Sequence, residues 1–248
     1  MKPVSATMRS LFAAAVTRRA RSVSRRLMRS ERGAVTIEFV IVVPVMLLIL
    51  LGFTELYLYM RAVSLVEHTA FTLADSIGQM SNVIDDTSDK NNATNANSLT
   101  SIWAAAVTLA QPNTLDSKGG VIITAICDQN VNCNCTQMGG TLAQTKGTPA
   151  IMWSAKPKWQ PTGMTSSVTA TKVVPSNWPF RYGDSAVAIE VFYRYTPFSM
   201  TAPFWRSAPG ETTIYERVFV RPRNGQVLAL SNPSSTLSTS QCESSTAL

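Results

Sequence analysis

The sequence predicts an α+β protein. A long N-terminal transmembrane helix should continue into an amphipathic helix, followed by a small domain with a mainly antiparallel β-sheet. Three observations carry this expectation. Gly33 to Tyr59 is an apolar run with no charge from Phe39 to Phe53. An apolar seam then repeats at helical spacing as far as Met80. Beyond Gly120 come short segments rich in branched residues, one of which alternates strictly between faces.

The apolar run decides the first element. Ala34 to Leu58 is about 25 residues, or roughly 37 Å of helix, enough to cross a hydrocarbon core of about 30 Å with some tilt. A buried core helix would need apolar surroundings on every side, and the rest of the chain does not supply them. A cleaved secretory signal would need a short n-region and a small-x-small site. Here the leader is long, and the run exits through Thr54-Glu55-Leu56-Tyr57.

Charge is distributed unevenly. The 248 residues carry a net +7. Residues 1–33 hold nine bases against Glu31 alone, while the remaining body has 13 bases and 14 acids, a net of −1. The basic character therefore belongs to the leader, and a folded basic surface for nucleic acid loses its support. Positive charge beside a membrane helix keeps that side cytoplasmic, so everything beyond about Tyr59 should lie across the membrane. The Arg- and Ser-rich residues 7–30 would also suit a mitochondrial transit peptide. That reading leaves Glu38, five places after Gly33, without a reason. A start at Met28 would shorten the leader to Met28–Gly33.

Leu56, Tyr59, Val63, Val66, Ala70, Leu73, Ile77 and Met80 are spaced three and four apart. Arg61, Ser64, His68, Thr72, Asp75 and Gln79 fall largely on the opposite side. One helix over about 34–80 is expected, kinked at Pro44, its outer seam packing on the chain's own domain or on a partner. Asp85 to Ser98 reads as a polar linker. Leu99 to Ala110 reads as a short helix capped by Ser98 and ended by Pro112. Ser117 to Gly120 should be a turn. Val121 to Cys127, Ala186 to Tyr195 and Thr212 to Val220 should be strands, the last two paired across Pro197–Gly210. Residues 148–157 and 167–174 are weaker strand candidates. The expected organisation is a leader (1–33), the helix (34–80), an α+β domain (81–230) and a Ser/Thr-rich tail (231–248).

Arg32-Gly33, four residues, then Glu38-Phe39 resembles a type IV prepilin processing site in its Glu-Phe form. With Pro44 and the Gly52-Phe53-Thr54-Glu55 exit, the stretch resembles the start of TadE-like proteins, pseudopilins of the tight-adherence (Flp/Tad) pilus. Gly183-Asp184 before a strand, Tyr193, Tyr195 and Pro197 at its exit, and the ending Val220-Arg221-Pro222-Arg223 are similar to that family more loosely. The resemblance implies a pilin-like bitopic protein of the bacterial inner membrane, with the α+β domain periplasmic. It also implies processing at Gly33, Ala34, Glu38 and Phe39 by a prepilin peptidase. As partners it implies other pilus subunits and the Tad secretion machinery. The implied role is that of a minor pseudopilin that primes or caps the filament, entering an extracellular pilus after processing.

Two other classes compete. One is a membrane-anchored envelope binding module that never enters a filament. The other is an anchored enzyme, for which the sequence gives little: a single histidine, His68, no Gly-x-Ser-x-Gly elbow and no phosphate loop. No catalytic residue, cofactor or metal is expected. Cys127, Cys133, Cys135 and Cys242 are spaced unlike zinc ligands, and the oxidising side of the membrane favours disulfides. A bridge between Cys133 and Cys135 would be strained. Two connectivities survive: Cys127–Cys133 with Cys135–Cys242, or Cys127–Cys135 with Cys133–Cys242.

Overall fold

The computed structural model describes residues 31–86, 95–131, 146–202, 206–207, 209–223, 225 and 227–231. Helix α1 spans Glu31–Gly78 and is followed by β1 (Asn82–Ile84), α2 (Leu99–Leu109) and α3 (Leu115–Lys118). Then come β2 (Gly119–Asp128), β3 (Pro149–Ala155), β4 (Ala186–Tyr195), β5 (Thr212–Val220) and β6 (Ala229–Ser231). The chain divides into two compact units, residues 1–56 and 57–248.

In the first unit α1 runs uninterrupted through Pro44. The Thr54 hydroxyl donates to the Leu50 carbonyl at 2.8 Å, so this polar atom is satisfied within the helix. In the second unit the same helix becomes one-sided. Ala62, Val66, Ala70, Leu73, Ala74 and Ile77 are buried, while Arg61, Ser64, His68 and Asp75 are exposed. The seam from Val66 to Ile77 therefore packs on the chain's own domain. Its alanines let the sheet approach closely. Each larger side chain contributes about 1.5–3 kcal/mol on burial.

Helix α2 begins where capping chemistry requires. The Ser98 hydroxyl accepts from the Ser101 amide at 3.1 Å. Asp86 Oδ1 accepts from the Thr100 amide at 3.0 Å and its hydroxyl at 2.8 Å. The start of the supposed linker is thus a buried cap. Ser117–Gly120 is not a free turn. Leu115–Lys118 is a single helical turn, and Gly119 and Gly120 already pair with Tyr193 and Phe192. A β-carbon on Gly119 would fall 2.6 Å from the Phe192 carbonyl oxygen, so glycine here permits close strand approach rather than a bend.

The main sheet has the order β3-β2-β4-β5 and is antiparallel throughout. Ile123 pairs with Ile189, which pairs with Val218 on the other side. Val121, Ile123, Val187, Ile189, Val191, Ile214 and Val218 join the α1 seam and α2 in one core. A short parallel pair, β1 with β6, sets Asn82 opposite Ala229.

The opposite face of the sheet is also covered, by the irregular segment 156–185. Val168, Val173 and Phe180 pack with Ile126, Ala186 and Ala188, and Met164 packs with Ile122 and Phe192. The proposed strand over 167–174 is absent. Only an isolated bridge joins Thr169 and Lys172, because Ser166 and Ser167 turn their hydroxyls and one amide to a buried carboxylate instead.

Asp128, buried at the end of β2, closes the covering segment. Its Oδ1 accepts from the amides of Asn130 (3.1 Å) and Thr148 (2.8 Å), and its Oδ2 from that of Gly183 (2.8 Å). Gly183 has φ 70°, a conformation glycine adopts without strain, and this aims its amide at the carboxylate. Asp128→Ala would leave three backbone donors without that acceptor. A loss of about 2–4 kcal/mol is expected, read as a lower denaturant midpoint for the full chain in detergent.

Candidate functional site

Among the described residues, the most exposed apolar surface is α1 before Tyr57. The span Val35–Gly78 contains an 18-residue window of mean hydropathy 2.7, none of it buried within the chain. Phe39 is 67% exposed and Phe53 68%. Val40, Ile41 and Val42, successive residues that face three different directions around the helix, are exposed as well. A helix that is apolar on all sides in water would be strongly unfavourable, so its medium is hydrocarbon or other helices. It is long and apolar enough to span a membrane.

The sequence-derived processing residues lie at the start of this helix. Gly33 and Ala34 are in its first turn. Glu38 and Phe39 follow, both exposed. Ala34 and Glu38 are four apart and share a helix face. The carboxylate is thus presented on the same surface as the apolar side chains.

Cys127 is fully buried in β2 and disulfide-bonded, to a partner outside the described residues. Cys133, Cys135 and Cys242 also lie outside them.

Sequence reading missed a polar centre beneath segment 156–185. Glu190, in the middle of β4, is completely buried. It accepts hydrogen bonds from the Ser166 hydroxyl, from the Ser167 amide (2.9 Å) and hydroxyl (2.6 Å), and from the Tyr215 hydroxyl (2.7 Å). Arg217 donates to the Ser167 hydroxyl at 2.8 Å. The signal was present as one acid among Ala186, Val187, Ala188, Ile189 and Val191, but its partners are distant in sequence. With both oxygens engaged, Glu190 acts as an anchor for the covering segment rather than as a base facing solvent. A second anchor lies at the strand ends. Arg221 makes a bidentate pair with Asp184, donates to the Pro179 carbonyl and stands 5.2 Å from the Trp178 ring centroid. Among the described residues no cluster of three or more His, Cys, Asp or Glu could hold a metal.

Residues 33–75 match the family model described as TadE-like protein. This is the stretch that holds Gly33, Ala34, Glu38 and Phe39, the apolar helix and most of the buried seam. Neither the curated proteins nor the solved structures contain a match to the chain.

The polar centre has a pH signature. Burial pushes the Tyr215 phenol up to about 12 from 10.0; the Ser167 hydrogen bond opposes this, the Glu190 hydrogen bond and charge add to it, and the Arg217 charge has the smallest, lowering effect. The folded state therefore keeps a proton that the unfolded chain has lost between pH 10 and 12. Stability should fall as pH rises through that window. Tyr215→Phe should remove this part of the decline, visible when denaturation midpoints of both proteins are compared across it.

Proposed function

We propose that this chain is a minor pseudopilin of a tight-adherence pilus, anchored in the bacterial inner membrane with its α+β domain in the periplasm. The TadE-like segment supports association with the Tad pilus machinery. The observation that carries the finer reading is an exposed, all-round apolar helix that presents Glu38 among its apolar residues. A carboxylate there is costly in a bilayer unless it has a partner. Cleavage after Gly33 by a prepilin peptidase would supply one, the new α-amine of Ala34, with an ordinary pKa of about 8. Amine and carboxylate neutralise one another, within a chain or between neighbours, as subunits pack helix to helix. The role is structural: priming or capping a filament, with no reaction catalysed by the chain.

In this reading the leader is residues 1–33, the helix 34–80, the periplasmic domain 81–230 and the tail 231–248. The domain carries two disulfides in one of the two connectivities given above. Either ties the tail through Cys242. Closing a loop on the order of 100 residues would add roughly 4–5 kcal/mol in the chain-entropy model, with strain reducing it.

Intact mass of protein purified from its own host tests processing and disulfides together. The expected mass begins at Ala34 and rises by four hydrogens on reduction. Residues 1–33 still attached would favour a membrane-anchored binding module outside any filament. Four free thiols would remove the disulfide scheme.

Glu38→Ala separates insertion from assembly. Removing a charge makes membrane insertion easier. The variant should remain in the membrane fraction while pili are lost. Normal pili would make Glu38 incidental, and loss from the membrane would give it a folding role instead.

A further inference from the structure

The two edges of the four-stranded sheet are built differently. β3 lies at one edge and β5 at the other. The β3 edge is blunted. It opens on Pro149, which has no N–H to offer, and its register against β2 shifts between Ala125 and Ile126, leaving Met152 outside the pairs. β5 has neither device. Thr212–Val220 contains no proline and pairs with β4 without a break.

In an antiparallel ladder, alternate residues turn their N–H and C=O groups to one side and then to the other. β4 takes one set of β5 groups. Among the described residues, no backbone group outside β4 bonds to the other set. A row of open donors and acceptors therefore runs along the outer side of β5, a template for one more strand.

This edge also carries a charge in an apolar place. Ile214 and Val218 are buried in the core shared with α1, and Val220 packs against it. Glu216 has the same parity and so belongs to the same face. It is half-buried and, among the described residues, has no hydrogen-bond or ion-pair partner. The arginines of β5 and its exit do not serve it: Arg217 belongs to the opposite face and bonds to Ser167, and Arg221 pairs with Asp184. An inward charge at an edge deters a strand that would set an apolar or acidic residue beside it, and admits one that brings a base.

We propose that the outer edge of β5 accepts one strand of a different protein, an extended segment that carries Lys or Arg between two apolar residues at alternate positions. Its backbone completes the open row, its base meets Glu216, and its apolar residues extend the face of Ile214 and Val218. A second copy does not supply this pattern. Two-fold pairing of β5 with itself would keep like faces together, and Thr212, Ile214, Glu216, Val218 and Val220 include no base. The chain's own tail, residues 232–248, has no Lys or Arg either. Every residue involved lies in the second unit, so the strand acceptor stands or falls independently of the pilus reading.

Hydrogen exchange of the full chain in detergent, read on peptic fragments covering residues 212–220, tests it. The probe is the synthetic peptide Thr-Val-Thr-Lys-Thr-Val-Thr, whose sequence is the same in both directions; a control peptide has Glu in place of Lys. In the free chain about half of the β5 amides should exchange quickly and the rest slowly. The lysine peptide should slow the fast set, with an apparent affinity on the order of tenfold above that of the control. Glu216→Lys should reverse this preference and Glu216→Gln should abolish it, while the slow set, unchanged, reports that both variants are folded. Equal protection by the two peptides, or a preference that neither substitution alters, would overturn the requirement for a base. Protection by neither peptide up to its solubility limit would overturn the acceptor edge. Slow exchange of every β5 amide before peptide is added would mean an edge already filled, by a second copy if dilution restores the fast set and by the chain itself if it does not, and either result rejects the proposal.

Discussion

The structure depends on one helix changing its apolar pattern partway along. Before Tyr57 the apolar side chains point in every direction; after Ala62 they occupy one stripe. The hydrophobic effect makes the two halves incompatible with a single medium. The second half needs a sheet, and the inner faces of β2, β4 and β5 meet it with branched side chains. The seam of alanines and branched residues sets how closely helix and sheet approach, and from that follow the register of the core and the direction of the β4–β5 hairpin.

The far side of the sheet is organised differently. Its apolar contacts fall into two small clusters separate from the main core, and polar anchors fix the covering segment over them. Glu190, Asp128 and the Asp184–Arg221 pair each draw backbone or side-chain groups from segments distant in sequence. Two of these carboxylates are buried, and each is surrounded by donors. An irregular segment cannot satisfy its backbone through a regular ladder, so side-chain acceptors do that work.

Much of this was legible in the sequence. The apolar run, the three-four spacing of Val66, Ala70, Leu73 and Ile77, the cap at Ser98 and the alternation in β4 each follow local periodicity. What escaped depended on distant partners. Gly119-Gly120 has turn composition, yet strand pairing with Phe192 and Tyr193 claimed it. Thr169 to Val174 has β-favouring residues, yet the needs of Glu190 bent the chain instead. The pairing of β1 with β6 left almost no local trace, since each strand is three residues long. For the candidate site, the order Gly33, Glu38, Phe39 was readable from spacing and lies at the start of the exposed helix, whereas the Glu190 centre was readable only as an odd acid in an apolar strand.

The β1–β6 pairing bears on the order in which the molecule can be completed. Asn82 leaves α1 almost at once, but its partner Ala229 comes near the end of the chain. With the helix made first, β1 must wait while the four-stranded sheet is assembled from local and intermediate pairings. Its own edge closes only when β6 arrives. The β1–β6 bonds therefore depend on long-range closure rather than on local pairing. Detaching β6 would leave β1 with an open edge beside the buried Val83.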